Sequence, residues 1–291
     1  MEVIDDYIKY IKEKKKLSNN TINSYKNDLK KYIDYLDNNN IKIDNVVEND
    51  IISYTIKLEK ENISVSTISR CISSIKSFHD YLFFYGQNKT DPSKNIKKPK
   101  MEKSTIDILT EKEIESLLEF KDLSKFKNIR DKAIFEVLYG TGIKVSELVC
   151  MNIEDIDLDI DYIYCNSGKN KRVIPLSDIT KYYLNMYIIK ARQNMVQVGE
   201  NALFVNSFGQ RFTRQGLWKV IKSHADKVKI NKNINPTMLR HSFAIHLLNK
   251  GANIAAVSKI LGNSNLASLQ CYVHQIDSNI RREIREKHPR R

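Results

Sequence analysis

Asn235-Pro236-Thr237-Met238-Leu239-Arg240-His241-Ser242-Phe243 is the stretch on which the reading of this 291-residue chain turns. Asn235 is a strong helix-capping residue, and Pro236 suits the first helical position, where its missing N–H has no partner to lose. The pair predicts a helix that begins at 236. Arg240 lies three residues after Thr237, so the two side chains share one face of it. Working outward, Leu261-Gly262-Asn263 follows, and then Tyr272 within Gln270-Cys271-Tyr272-Val273-His274. Upstream lie Thr141-Gly142-Ile143-Lys144-Val145-Ser146-Glu147-Leu148 and the short basic run Gly168-Lys169-Asn170-Lys171-Arg172.

The length allows two ordinary domains, and a 41% hydrophobic composition is enough for a sizeable core. No apolar run approaches the ~20 residues that span a bilayer. The start, Met1-Glu2-Val3-Ile4-Asp5-Asp6, is acidic and amphipathic, unlike a secretory leader, and a cytoplasmic location is expected. The cysteines Cys71, Cys150, Cys165 and Cys271 stand far apart with no Cys-x-x-Cys pair. Neither a zinc site nor a disulfide framework is indicated. A net charge of +13, from 48 basic and 35 acidic residues, suits a polyanionic partner. A lysine-rich surface, with the abundant Asn, Ile and Tyr of an AT-rich coding bias, gives the same total.

Residues 1–90 read as four amphipathic helices. Ile4, Tyr7, Ile8 and Ile11 make an i, i+3, i+4, i+7 stripe, and Ser18 caps a second helix bearing Ile22, Tyr25, Leu29, Tyr32, Ile33 and Leu36. Asn38-Asn39-Asn40 ends it. A third helix covers 51–58. The fourth starts near Ser64 or Ser66 and buries Ile68, Ile72, Ile75, Phe78 and Leu82, leaving Thr67 and Arg70 on its polar sides. Residues 91–105, with Pro92, Pro99 and five lysines, lack periodicity and read as a linker. From 106 to 291 the pattern is mixed. Thr110-Glu111-Lys112-Glu113 is a capping box, and a helix from Arg130 to Tyr139 stops at Gly140. Alternating runs at 156–158, 162–164 and 173–176 predict strands, the last two joined by a hairpin turn at Ser167-Gly168-Lys169-Asn170. Helices resume after Thr180 and Thr213. The expected fold is mainly α: a four-helix N-terminal domain, then an α+β domain with one small antiparallel sheet.

These motifs resemble the tyrosine recombinases, whose catalytic box reads Pro-His-x-Leu-Arg-His-Ser-Phe, then Leu-Gly-His, then a nucleophilic Tyr. Upstream that family writes Thr-Gly-Leu-Arg-x-Ser-Glu-Leu. The likeness is Xer-type and runs the length of the chain, through Leu203-Phe204-Val205, Thr213-Arg214-Gln215-Gly216-Leu217-Trp218, Leu247-Leu248-Asn249-Lys250-Gly251-Ala252 and the basic ending at 285–291. It implies a core-binding domain followed by a catalytic domain that clamp double-stranded DNA, and strand transfer through a phosphotyrosyl ester without metal or nucleotide cofactor.

The resemblance assigns Tyr272 as nucleophile, Arg240 as phosphate ligand and Lys169 as the hairpin lysine that protonates the leaving oxygen, with Lys171 as its rival because this turn is shorter. Three motif positions are substituted. Lys144 stands for the first Arg, Thr237 for the first His and Asn263 for the second. Lysine is a point charge where arginine is a planar fork, and threonine is no base near neutral pH. Expected DNA contacts are Thr67, Arg70, Lys97, Lys98, Lys100 and Arg214. The implied assembly is a homo-oligomer, a tetramer on two DNA sites, with a segment at 277–287 docking into a neighbour or packing on its own domain. A second recombinase is a further possible partner. Two functions are compatible with the substituted box: an active strand transferase, or a DNA-binding relative that regulates or partners a competent enzyme.

Overall fold

The computed structural model describes residues 2–86, 88–100, 107–167 and 170–262. Two compact units divide the chain, Met1–Ser104 and Thr105–Arg291.

In the first unit, α1 (Glu2–Glu13), α2 (Asn19–Asn38), α3 (Glu48–Lys60) and α4 (Val65–Phe84) form the expected bundle. Ser18 and Ser64 cap α2 and α4, accepting from the N–H groups of Thr21 and Thr67. The apolar stripes meet in one core that includes Tyr7, Ile11, Leu29, Tyr32, Leu36, Ile51, Ile72 and Phe78. The segment read as a bare linker is in part fastened to this bundle. Ile96 joins the core, and Lys76 donates to the carbonyls of Lys94 and Ile96, both at 3.0 Å. A single isoleucine without periodicity gave no sign of this.

His79 is fully buried in that core, its Nε2 3.0 Å from the Tyr32 hydroxyl. Burial pushes the imidazole down to about 4. Its folded value lies below its unfolded one, so its contribution is complete above about pH 6.5 and falls away as pH drops toward 4. The span of the shift corresponds to a loss of about 3 kcal/mol. The melting temperature of the intact protein should therefore fall between pH 7 and pH 5, and His79→Gln should flatten that fall. An equal slope in both proteins would rule out His79 as its cause.

In the second unit Thr110 and Glu113 form the predicted capping box of α5 (Glu111–Leu118). The next helix, α6 (Phe126–Thr141), is longer than expected. It runs through Gly140 and stops at Gly142, whose φ of +59° is the left-handed conformation that terminates helices. A six-residue helix, α7 (Val145–Cys150), follows and was not anticipated. Strands β1 (Ile156–Asp157), β2 (Tyr162–Ser167) and β3 (Asn170–Pro175) make one antiparallel sheet in the order β1-β2-β3, with Ser167 paired opposite Asn170. Helix α8 (Asp178–Met186) is capped by Ser177, three residues ahead of the expected start, and Thr180 is buried within its first turn. It continues into a π-helical turn, Tyr187–Arg192, whose Tyr187 and Arg192 side chains bond the backbone of residues 200–205. The chain ends its described part with α9 (Arg214–Lys227), α10 (Pro236–Asn249) and α11 (Ile254–Leu261).

Two helices of this unit, α6 and α10, are buried on nearly every side. Polar residues on them are accordingly paired: Arg130 with Asp131, and Lys132 with Glu136. Ser242 on α10 accepts from the N–H of Leu109 at 2.8 Å and donates to the Met238 carbonyl. Among the described residues no helix is long and apolar enough to cross a membrane.

Candidate active site

Asn235 accepts from the Met238 N–H at 2.9 Å and so starts α10 where the sequence predicted. Thr237 is exposed on the first turn, and Arg240, one turn later, is buried. Arg240 works as a two-ended clamp. Its Nη1 donates to the Gly142 carbonyl at 2.7 Å and its Nη2 to the Leu261 carbonyl, also at 2.7 Å. Both acceptors lie at helix C-termini, where unpaired carbonyls and the negative end of the helix dipole favour a cation.

Gly142 occupies the crossing point of these elements. A Cβ there would collide with the Phe243 ring and come within 2.9 Å of Leu261, so the site excludes any side chain apart from the cost of its positive φ. Two residues on, Lys144 caps α7 with its side chain exposed, and its N–H bonds Glu147 at 2.9 Å.

A second clamp runs beside the first. Arg172 on β3 donates Nη1 and Nη2 to the two Glu147 oxygens at 2.7 and 2.8 Å, and its Nε to the Ile260 carbonyl at 2.7 Å. Both charged groups are buried, with side-chain exposures of 9% and 4%. Burial pushes the Glu147 carboxyl up, but the Arg172 guanidinium and the Lys144 N–H outweigh it and hold the group below the usual carboxylate range. At His241, burial and the neighbouring Arg240 cation both lower the imidazole.

The positions predicted from sequence thus divide. Arg240 and the turn carrying Lys144 are brought together through the Gly142 carbonyl. Thr237 lies on the same helix as Arg240. Lys171 is exposed on β3, one residue from the clamp. Tyr272, Asn263 and Lys169 lie outside the described residues, as does the segment 277–287. Arg172 and Glu147 were quoted as motif letters without a role. The available signal was a buried-type acidic residue at 147 and an arginine at an alternate position of a strand, which is weak without the fold.

The expected DNA contacts are also placed. Lys97, Lys98 and Lys100 are exposed, and Arg214 is exposed just after the Thr213 cap of α9. The exposed side of α9 carries Trp218, Lys219 and Lys222 as well, with the Lys222 ammonium 5.5 Å from the Trp218 ring centroid. Sequence reading missed these two lysines. Thr67 is half-buried, its hydroxyl 2.9 Å from that of Ser64. Arg70 is exposed but carries its own anion, with Nη2 3.0 Å from Asp28 Oδ1. It lines a concave surface between α2 and α4 with Asn20, Thr21, Ser24, Ser69 and Ser73.

Residues 107–279 match the Phage integrase family, and residues 4–84 match its N-terminal SAM-like domain. The chain belongs to the tyrosine recombinase family. It is 38% identical to tyrosine recombinase XerD of Oceanobacillus iheyensis over 292 residues, covering 99% of this chain and 98% of that protein. It is 39% identical to XerD of Staphylococcus epidermidis over 294 residues, covering 99% of each. Among solved structures, the XerH site-specific recombinase bound to its palindromic difH substrate superposes with a TM-score of 0.76 at 21% identity, covering 91% of this chain and 80% of that one. The Tn1549 transposon integrase with circular intermediate DNA gives 0.72 at 21% identity, covering 93% and 94%. A mainly helical recombinase fold with a small antiparallel sheet is therefore shared. The Xer-like family reading from the substituted motifs holds over the whole length.

Proposed function

We propose that this recombinase cuts and rejoins double-stranded DNA at specific sites through Tyr272. The observation that carries the reading is the Arg240 clamp. It brings a guanidinium, the Lys144 turn and the end of α11 to one place, and residue 263 follows directly. The phenol oxygen of Tyr272 attacks the scissile phosphorus, the bond to the 5′-oxygen breaks, and the strand is held as a phosphotyrosyl ester. A lysine of the hairpin, Lys169 or Lys171, delivers the proton that the 5′-oxygen gains. Rejoining reverses these events with another 5′-hydroxyl. Arg240 stabilises the charge on the non-bridging oxygens, and Lys144 adds a point charge without a fork. Thr237 and Asn263 supply polar groups but no base, so the phenol proton leaves to solvent. That predicts slow chemistry rather than none. The active assembly is a homo-oligomer on DNA, and a second recombinase is an alternative partner.

The test is a nicked suicide duplex carrying a site enriched by binding from a randomised duplex pool. Wild type should become covalently attached, and Tyr272→Phe should bind equally but form no adduct. Binding without any adduct would leave the chain as a DNA-binding relative that has lost chemistry. An adduct that survives Tyr272→Phe would overturn the nucleophile.

DNA affinity should fall steeply with salt. The basis is the +13 charge and the lysines at 94, 97, 98, 100 and 103, since each phosphate contact adds a slope of about −0.9 in log affinity against log salt. Replacing the five by Ala should flatten the slope, whereas an unchanged slope would make this segment a tether only.

A further inference from the structure

Two arginines from different elements hold consecutive carbonyls at the end of α11. Arg240 of α10 takes Leu261, and Arg172 of β3 takes Ile260. At their other ends both reach the turn that bears Lys144, Arg240 through the Gly142 carbonyl and Arg172 through Glu147. In the proposed reaction Arg240 has a second duty, on the phosphate. Arg172 is given no such duty, and its Nε and both Nη groups are bonded to protein acceptors at 2.7–2.8 Å.

The fit around Arg172 is close. Gly262, with φ +65°, would bring a Cβ to 2.9 Å from Arg172 Nη1 and 3.0 Å from Cζ. The guanidinium therefore fills the space that a side chain at 262 would need. It also uses the whole fork, since a lysine ammonium in its place could not serve both Glu147 oxygens and a helix carbonyl in one plane.

We infer that Arg172 is a positioning residue for strand cleavage. It locks the end of α11, and with it the departure of the chain toward Asn263 and Tyr272, against the Lys144 turn. This rests on the strand-transfer reading above. It predicts that Arg172 affects chemistry while leaving DNA affinity alone. A displacement on the order of 1 Å at a reacting group is enough to cost up to about 10²-fold in rate.

The experiment uses the full-length protein with Arg172→Lys, which keeps a cation beside Glu147. It also uses Arg172→Met combined with Glu147→Gln, which leaves no buried charge unpaired. Each is compared with wild type by three readouts: affinity for the enriched duplex, the single-turnover rate of adduct formation, and amide exchange across residues 257–262. Arg172→Lys should slow adduct formation roughly tenfold, and the double variant further, at unchanged affinity. Exchange at the end of α11 should accelerate in both, while residues 242–248 of α10 keep their protection. Affinity falling in step with rate would overturn the inference, as would a rate within twofold of wild type. A slower rate without faster exchange at 257–262 would also overturn it, because the effect would not pass through α11. If wild type itself forms no adduct, the strand-transfer reading fails. The exchange arm still decides the clamp, since unchanged exchange refutes it and acceleration confined to 257–262 sustains it.

Discussion

Lys144→Arg combined with Thr237→His should raise the rate of covalent adduct formation by about 10²-fold or more. A single aligned donor on a transition-state oxyanion contributes about 3 kcal/mol, and a positioned acid–base group adds a comparable factor. The structure makes both substitutions easy to accommodate. The Lys144 side chain is exposed, and its capping role is played by its backbone N–H, which arginine retains. Thr237 is exposed on the first turn of α10, so an imidazole there displaces no packed neighbour. The measurement is the initial rate on the suicide duplex under single-turnover conditions, with Tyr272→Phe added to the restored protein as the control. The two changes need not add, because residues acting on one transition state seldom do. A restored protein no faster than wild type would show that these two positions do not limit the reaction.

Glu147→Ala should cost about 3–5 kcal/mol of stability, among the largest single effects in the chain. It strands the buried Arg172 guanidinium without its carboxylate, and an unpaired buried charge is far more costly than the pair it came from. For a unit of this size the melting temperature should drop by about 10 °C. Adding Arg172→Met should restore part of the loss by removing the orphan charge, although the end of α11 then loses a donor. Thermal melts of the two proteins at pH 7 decide the matter. Acid should act on the same pair. The Glu147 carboxyl is held low in the fold, so its contribution is present above its unfolded value and fades as pH falls through the folded one. If Glu147→Ala melts within 2 °C of wild type, the pair is energetically neutral.

Much of this architecture was legible because the local signals were strong and agreed. The serine cap at 18, the box at Thr110 and Glu113, and the Asn235-Pro236 start all act over three or four residues, within reach of sequence reasoning, and of the two starts offered for the fourth helix the cap is Ser64. The antiparallel pairing of β2 with β3 was foreshadowed by the Gly and Asn content of the segment between them. The failures have a common origin in distance along the chain. Gly140 looked like a stop, but the conformation that stops α6 belongs to Gly142, where Phe243 and Leu261 crowd in from remote segments. Ile96 is held by the bundle although its neighbours are lysines and asparagines. Arg70 faces Asp28, 42 positions away, and Arg172 faces Glu147 and Ile260, 25 and 88 positions away. For the candidate site, motif letters named Arg240 as a phosphate ligand, but nothing local indicated that it also fastens two helix ends.

The hydrogen bond from the Leu109 N–H to Ser242 sets an order of events during synthesis. Leu109 is fully buried among residues that include Met238 and Leu239 of α10, and its partner Ser242 leaves the ribosome 133 residues later. At roughly 5–20 residues per second the wait lasts on the order of ten seconds, during which α5 has no seat. The first unit is different, because every residue of its core lies between Ile4 and Ile96. A nascent chain should therefore present a finished N-terminal bundle while its second unit is still an open, lysine-rich polymer. Nascent chains halted before residue 236 should be protected from protease in the first unit only. Folding during synthesis is thus staged, with a first unit complete on emergence and a second that must wait for its last helices.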